Sequence, residues 1–158
     1  MSVSRPFPAT WLNDKDLVLT DHSGSPRGRI VRHHPDTQQD QPVTDPKGSG
    51  DDEYPAVSPD GKWLLFTRFF TMSTSDLFVV PIDGGPERRL TFDELAKRET
   101  RFTPDGAGVL PRSRPAVGIP LPGAPPSKPV NLIVSTRGDV NVNPMLSPDG
   151  ARADSPCN

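Results

Sequence analysis

Three aspartates, Asp60, Asp105 and Asp149, return at nearly even spacing, and a series of carboxylates is what binds calcium or moves protons. Each lies in the same tetrapeptide: Ser58-Pro59-Asp60-Gly61, Thr103-Pro104-Asp105-Gly106 and Ser147-Pro148-Asp149-Gly150. A residue that returns once per repeat is explained by the turn that each repeat needs. In such a turn Pro59 presets φ near about −65°, Asp60 bonds a neighbouring backbone N–H, and Gly61 supplies a left-handed residue cheaply. The three tetrapeptides are therefore read as structural turns, with no catalytic or metal-binding role.

Other residue types that could do chemistry are equally poor in partners. Asp21-His22-Ser23 holds the three side chains of a hydrolase triad, but sequence neighbours seldom reach the geometry in which a base orients and a nucleophile attacks. No Gly-x-Ser-x-Gly elbow is present. His33 and His34 are adjacent, and neighbours on a strand point to opposite faces, so they do not share a metal. Glycines at 24, 28, 48, 50, 84 and 85 form neither a dinucleotide nor a Walker loop. Cys157 is the one cysteine, which excludes a disulfide framework and Cys-based metal sites. The expectation is a protein without catalytic residues, metal or cofactor.

What positions these residues is a repeat. Successive prolines of the tetrapeptides are 45 and 44 residues apart, the scale of one four-stranded propeller blade. A further copy lies upstream, where PATWLNDKDLVLT (8–20) superposes on PAVSPDGKWLLFT (55–67) at an offset of 47 without a gap. The same offset carries Ile30-Val31 onto Leu77-Phe78, Asp36 onto Asp83, and Val43-Thr44 onto Leu90-Thr91.

The best preserved unit predicts strands over 54–57, 62–68, 77–82 and 88–92, with Asp83-Gly84-Gly85 as the turn between the last two. Trp63, Leu64, Leu65 and Phe66 are continuously apolar, as are Leu17, Val18 and Leu19, so both faces of each strand are expected to be covered. The predicted core is Trp63, Leu64, Phe66, Leu77, Phe78 and Val80 with Leu17, Leu19, Ile30 and Val31.

After Gly106 the pattern decays. Eight prolines fall from Pro104 to Pro129, and proline cannot donate to a strand ladder. Residues 131–150 recover the signature, with a short strand predicted over 132–134, and the last eight residues abandon it. The fold class expected is all-β: a partial propeller of about three four-stranded antiparallel blades with a degenerate C-terminal end. Residues 1–53 form a first blade, 54–99 a second, 100–150 a degenerate third with a proline-rich insert and the start of a fourth, and 151–158 a tail.

The residues YPAVSPDGKWLLFTR and SDLFVVPIDGGPERRLTFD resemble a repeat of the TolB-type, WD-like β-propeller family. The resemblance is strong over residues 8–92, patchy to 150, and distinct from ordinary WD repeats, whose Gly-His and Trp-Asp pairs are missing. It implies a non-enzymatic bacterial binding platform for a protein or peptide. Relatives in the family also serve as accessory propellers of prolyl oligopeptidase-like serine peptidases and as sensor domains of transcriptional regulators. A periplasmic setting is one implication of the resemblance.

At 158 residues the chain is short for a closed ring, which needs roughly four to eight blades. It is expected to be a fragment of a larger protein or to self-associate through exposed blade edges. A net charge of −2 with mixed signs leaves no basic stripe for nucleic acid, and no apolar run is long enough to insert in a membrane. One segment invites a partner: Phe69, Phe70 and Met72, expected in the loop between the second and third strands of the best preserved unit. The alternative is that they pack on the adjacent blade.

Overall fold

Short connections between alternating or apolar runs build two successive antiparallel meanders. A computed structural model of the chain describes residues 9–23, 27–46, 50–93 and 95–110, together with the backbone of 119–120, 145–146 and 153–154. The first sheet takes β1 (Ala9–Trp11), β2 (Leu17–Asp21), β3 (Arg29–His34) and β4 (Gln39–Pro42) in spatial order β1-β2-β3-β4. The second takes β5 (Asp51–Val57), β6 (Trp63–Phe69), β7 (Ser75–Pro81) and β8 (Arg88–Arg89), again in sequence order. A third sheet has the order β11-β10-β9, from β9 (Arg101–Phe102), β10 (Gly108–Leu110) and β11 (Ile119–Pro120). Pro120 lies on its outer strand, where a missing N–H is tolerated. Across the third tetrapeptide, β13 (Ala153–Asp154) pairs with β12 (Met145–Leu146), a pairing that needs only backbone groups. The strand predicted over 132–134 lies outside the described residues.

The repeat is visible in its hydrogen bonds. Val43 N donates to Ile30 O at 2.9 Å, and Leu90 N to Leu77 O at 2.7 Å, 47 residues on. The hydroxyls of Thr44 and Thr91 accept from the N–H groups of Ile30 (2.9 Å) and Leu77 (3.0 Å) in the same way. A threonine at this position closes the ladder where the fourth strand turns away.

β5 starts three residues ahead of the predicted Tyr54, at Asp51. Acidic residues are poor strand formers, but here Asp52 lies opposite Arg68 of β6, and the ion pair overrides the local preference. The register shifts between Glu53 and Ala56, and Tyr54 takes a φ of 54°. Pro55 has no N–H for the ladder, so a bulge at this point carries the strand past it.

The core has two faces because β6 is covered on both. Leu64 and Phe66 join Val80 and Ile82 against Val18 and Ile30 of the first sheet. Leu65, with Leu77 and Val79, packs on the other side against Phe102 and Val109 of the third sheet. The burial of β2 alternates instead: Val18 and Thr20 are buried, Leu17 and Leu19 half-buried. The expectation that both faces of β2 are covered is thus corrected, because among the described residues only the second sheet packs on it, from one side. Trp63 and Phe78 are likewise only partly buried at the margin of the core.

One cation ties these layers together. Arg68, whose side chain is 12% exposed, donates to both oxygens of the fully buried Asp52 (2.6 and 2.7 Å) and to Glu87 (2.7 and 3.1 Å). Its guanidinium also lies over the Phe66 and Phe78 rings, 5.3 and 4.9 Å from their centroids. Burial acts against its charge, but the two carboxylates more than offset that and hold its proton more tightly than usual.

Truncation of Phe66, which is fully buried, to alanine is expected to cost about 3–5 kcal/mol in chemical denaturation. An unchanged midpoint would contradict the two-faced core. Arg68→Ala is expected to cost about 3–5 kcal/mol as well, since it leaves Asp52 buried and unpaired. The apolar pair Arg68→Met, Asp52→Leu should recover much of that loss in the same measurement.

Candidate functional site

The tetrapeptide turns repeat atom for atom between the second and third sheets. Ser58 Oγ donates to Asp60 Oδ1 at 2.6 Å and accepts from Trp63 N at 2.9 Å; Thr103 Oγ1 donates to Asp105 Oδ1 at 2.5 Å and accepts from Gly108 N at 3.0 Å. The aspartates then accept from Lys62 N (3.1 Å) and Ala107 N (3.0 Å). Gly61 and Gly106 take φ of 71° and 68° and donate to Ser58 O and Thr103 O, both at 2.9 Å. Asn13 does the upstream equivalent, accepting from Lys15 N at 2.8 Å. Pro59 and Pro104 are exposed beside their aspartates. Pro148, Asp149 and Gly150 lie outside the described residues.

Asp21, His22 and Ser23 do not assemble as a relay. Asp21 accepts from Arg29 (2.9 and 3.1 Å) and from the backbone N–H of Ser23 (2.7 Å), while His22 Nε2 faces Glu53 at 3.7 Å. His33 Nδ1 is 2.7 Å from Asp40 Oδ1. Two carboxylates therefore stand beside His22: one ligand atom each from His22, Asp51 and Glu53 lie within 4.8 Å of one another. Burial, and after it the Asp51 charge, pushes the Glu53 carboxyl above its ordinary range.

The aromatic segment divides. Phe69 ends β6 rather than lying in the loop; it is buried, tilted on Tyr54 at 6.1 Å, with Arg98 5.9 Å above its ring. The expected loop position of Phe69 is corrected, because the run of β6 goes one residue beyond the predicted Arg68 and buries its ring. Phe70 and Met72 do lie in the loop. Phe70 N donates to Thr74 O at 2.9 Å, and Thr71 Oγ1 meets Thr74 Oγ1 at 2.8 Å, so the loop is closed on itself with Met72 90% exposed at its tip.

Three residues join them that local spacing does not reveal. Arg89 is clamped by Asp76 at 2.5 Å and lies between two rings, 5.3 Å from Phe70 and 5.0 Å from Phe92. Phe92 was expected inside the fourth strand, but β8 ends at Arg89, and Phe92 emerges 74% exposed. Leu95, 63% exposed, is held beside the loop by Ser75 Oγ, which donates to its carbonyl at 3.4 Å. The result is an apolar patch around one cation at the end of the second sheet away from the Ser-Pro-Asp-Gly turn.

No protein-family model matches the sequence, and no curated protein matches it. The fold does have solved counterparts. TolB from Acinetobacter baumannii is similar over 94% of this chain and 37% of that one, with a TM-score of 0.64 and 22% identity. A putative TolB from Agrobacterium tumefaciens is similar over 74% of this chain and 40% of that one, with a TM-score of 0.55 and 21% identity. The chain has a TolB-type β-propeller fold. It spans about two-fifths of the length of either TolB chain. Among the described residues no helix is long and apolar enough to cross a membrane.

The turn hydroxyls make a pH-dependent contribution whose sign follows from their acceptors. Hydrogen bonds from Ser58 and Thr103 hold the Asp60 and Asp105 carboxyls below the ordinary aspartate range. That stabilisation is present above the unfolded value of 3.8 and is lost as pH falls through the lowered folded values. The double variant Ser58→Ala, Thr103→Ala is therefore expected to be less stable than the parent at pH 7, with a gap that narrows towards pH 3 in urea titrations. A gap independent of pH would show that the aspartates take no part.

Proposed function

We propose that this chain is a non-enzymatic propeller module that binds a protein or peptide through the patch of Phe70, Met72, Arg89, Phe92 and Leu95. The observation that carries this reading is the exposure of Met72, Phe92 and Leu95 around an arginine already held in place. Large apolar side chains left in water are costly unless something covers them, and aromatics with arginine dominate the residues that anchor interfaces. A self-closed loop and a clamped guanidinium lose little freedom on contact, which favours affinity. The span of about two-fifths of a TolB chain supports a module completed by further blades, in a longer protein or by self-association.

The test is selection of peptides from a displayed random library on the purified chain, followed by fluorescence anisotropy with the selected sequences. Met72→Ala, Phe92→Ala is expected to weaken their binding about 10-fold or more while the melting temperature stays near that of the parent, both side chains being exposed. Selected peptides that bind the double variant unchanged would place the binding surface elsewhere.

A further inference from the structure

The seam between the first two sheets holds a group of ligating side chains that the repeat does not require. His22 directly follows β2, and Asp51 and Glu53 are alternate residues of β5, so their side chains leave the same side of that strand. Between them Asp52 turns to Arg68. At the offset of 47 the counterpart of His22 is Phe69, and at the offset of 45 those of Asp51 and Glu53 are Ala96 and Arg98. A feature of the scaffold would recur in the next copy; this one belongs to a single seam.

We propose that His22, Asp51 and Glu53 bind one first-row divalent cation of the zinc type, which clasps the first sheet to the second. One imidazole nitrogen with two carboxylate oxygens suits zinc, cobalt or nickel, whereas calcium and magnesium prefer oxygen alone. Donors about 2.1 Å from a tetrahedral ion stand about 3.4 Å apart. His22 Nε2 and Glu53 Oε1 are at 3.7 Å, and all three ligand atoms lie within 4.8 Å, so small rotations about the side-chain bonds complete the set. The His22 and Glu53 side chains are 27% and 26% exposed, enough for an ion to enter with water in the remaining position.

The surroundings hold one ligand in place. Gly28 N donates to Asp51 Oδ1 at 2.5 Å, which orients that carboxylate. Asp52 N in turn donates to Gly28 O at 2.9 Å, fixing the glycine backbone against β5. A Cβ on residue 28 would lie 2.7 Å from Asp51 Oδ1, 2.8 Å from His22 Cε1 and 2.8 Å from Thr20 Cγ2. Only glycine lets the backbone come this close to the cluster.

The test uses untagged, chelator-treated protein titrated with Co(II) and Zn(II) at pH 7.5, read by visible absorption and by melting temperature. One equivalent of Co(II) is expected to give the ligand-field bands of a low-coordinate site, and either metal to raise the melting temperature. His22→Gln and Glu53→Gln should each weaken binding about 10-fold or more, and His33→Gln should leave it unchanged. Circular dichroism of the metal-free variants checks their folds, and either one that folds suffices. Absence of bands and of any melting shift, Co(II) affinity equal to the parent's in a folded His22→Gln or Glu53→Gln, or tighter binding of Ca(II) than of Zn(II) would each overturn the site.

Discussion

Burial of β6 on both faces is the constraint on which the other features depend. A strand whose neighbours Leu64, Leu65 and Phe66 all lack solvent contact needs a sheet on either side, and the first and third sheets supply them. Each blade is thus part of its neighbour's core, in the quasi-one-dimensional manner of repeat proteins. β2 shows the converse, with half-buried leucines on the face that the second sheet does not cover.

Polar groups join the same layers where apolar packing ends. Arg68 reaches Asp52 across the ladder and Glu87 ahead of β8, and its guanidinium lies over the Phe66 and Phe78 rings. Asp76 plays a similar part on β7: it accepts from Thr91 Oγ1 at 2.5 Å and from Arg89, with the buried Lys97 ammonium 3.6 Å away. Lys97 also meets Asp93, whose carboxyl it holds below the usual range. These joints fix the segment after β8, and that segment carries Phe92 and Leu95 to the loop that holds Met72. The patch proposed to meet a partner is therefore supported by charge pairs beneath it.

The cluster proposed to hold a cation lies at a different join, between β2 and β5. Both locations share a physical origin: they are formed where one sheet's loop or strand end meets residues distant in sequence. In a propeller the strands supply rigidity and the junctions supply chemistry.

The spacing of Ser-Pro-Asp-Gly and the offset of 47 determine the blade period, the turns at Ser58–Gly61 and Thr103–Gly106, and most of the core, because local turn chemistry and apolar pattern act within one repeat. Leu64, Phe66, Leu77, Val80, Ile30 and Val31 were legible for that reason and are buried. The start of β5 was not, since Asp51-Asp52-Glu53 becomes a strand only with Arg68 opposite it. Nor was the fate of Phe69, turned inward by one further residue of β6, or the stacking of Arg89 between Phe70 and Phe92, 22 residues apart. Period and turns arise from interactions between neighbours in sequence; ion pairs, ring stacks and ligand clusters depend on which distant segments the packed sheets bring within a few ångströms.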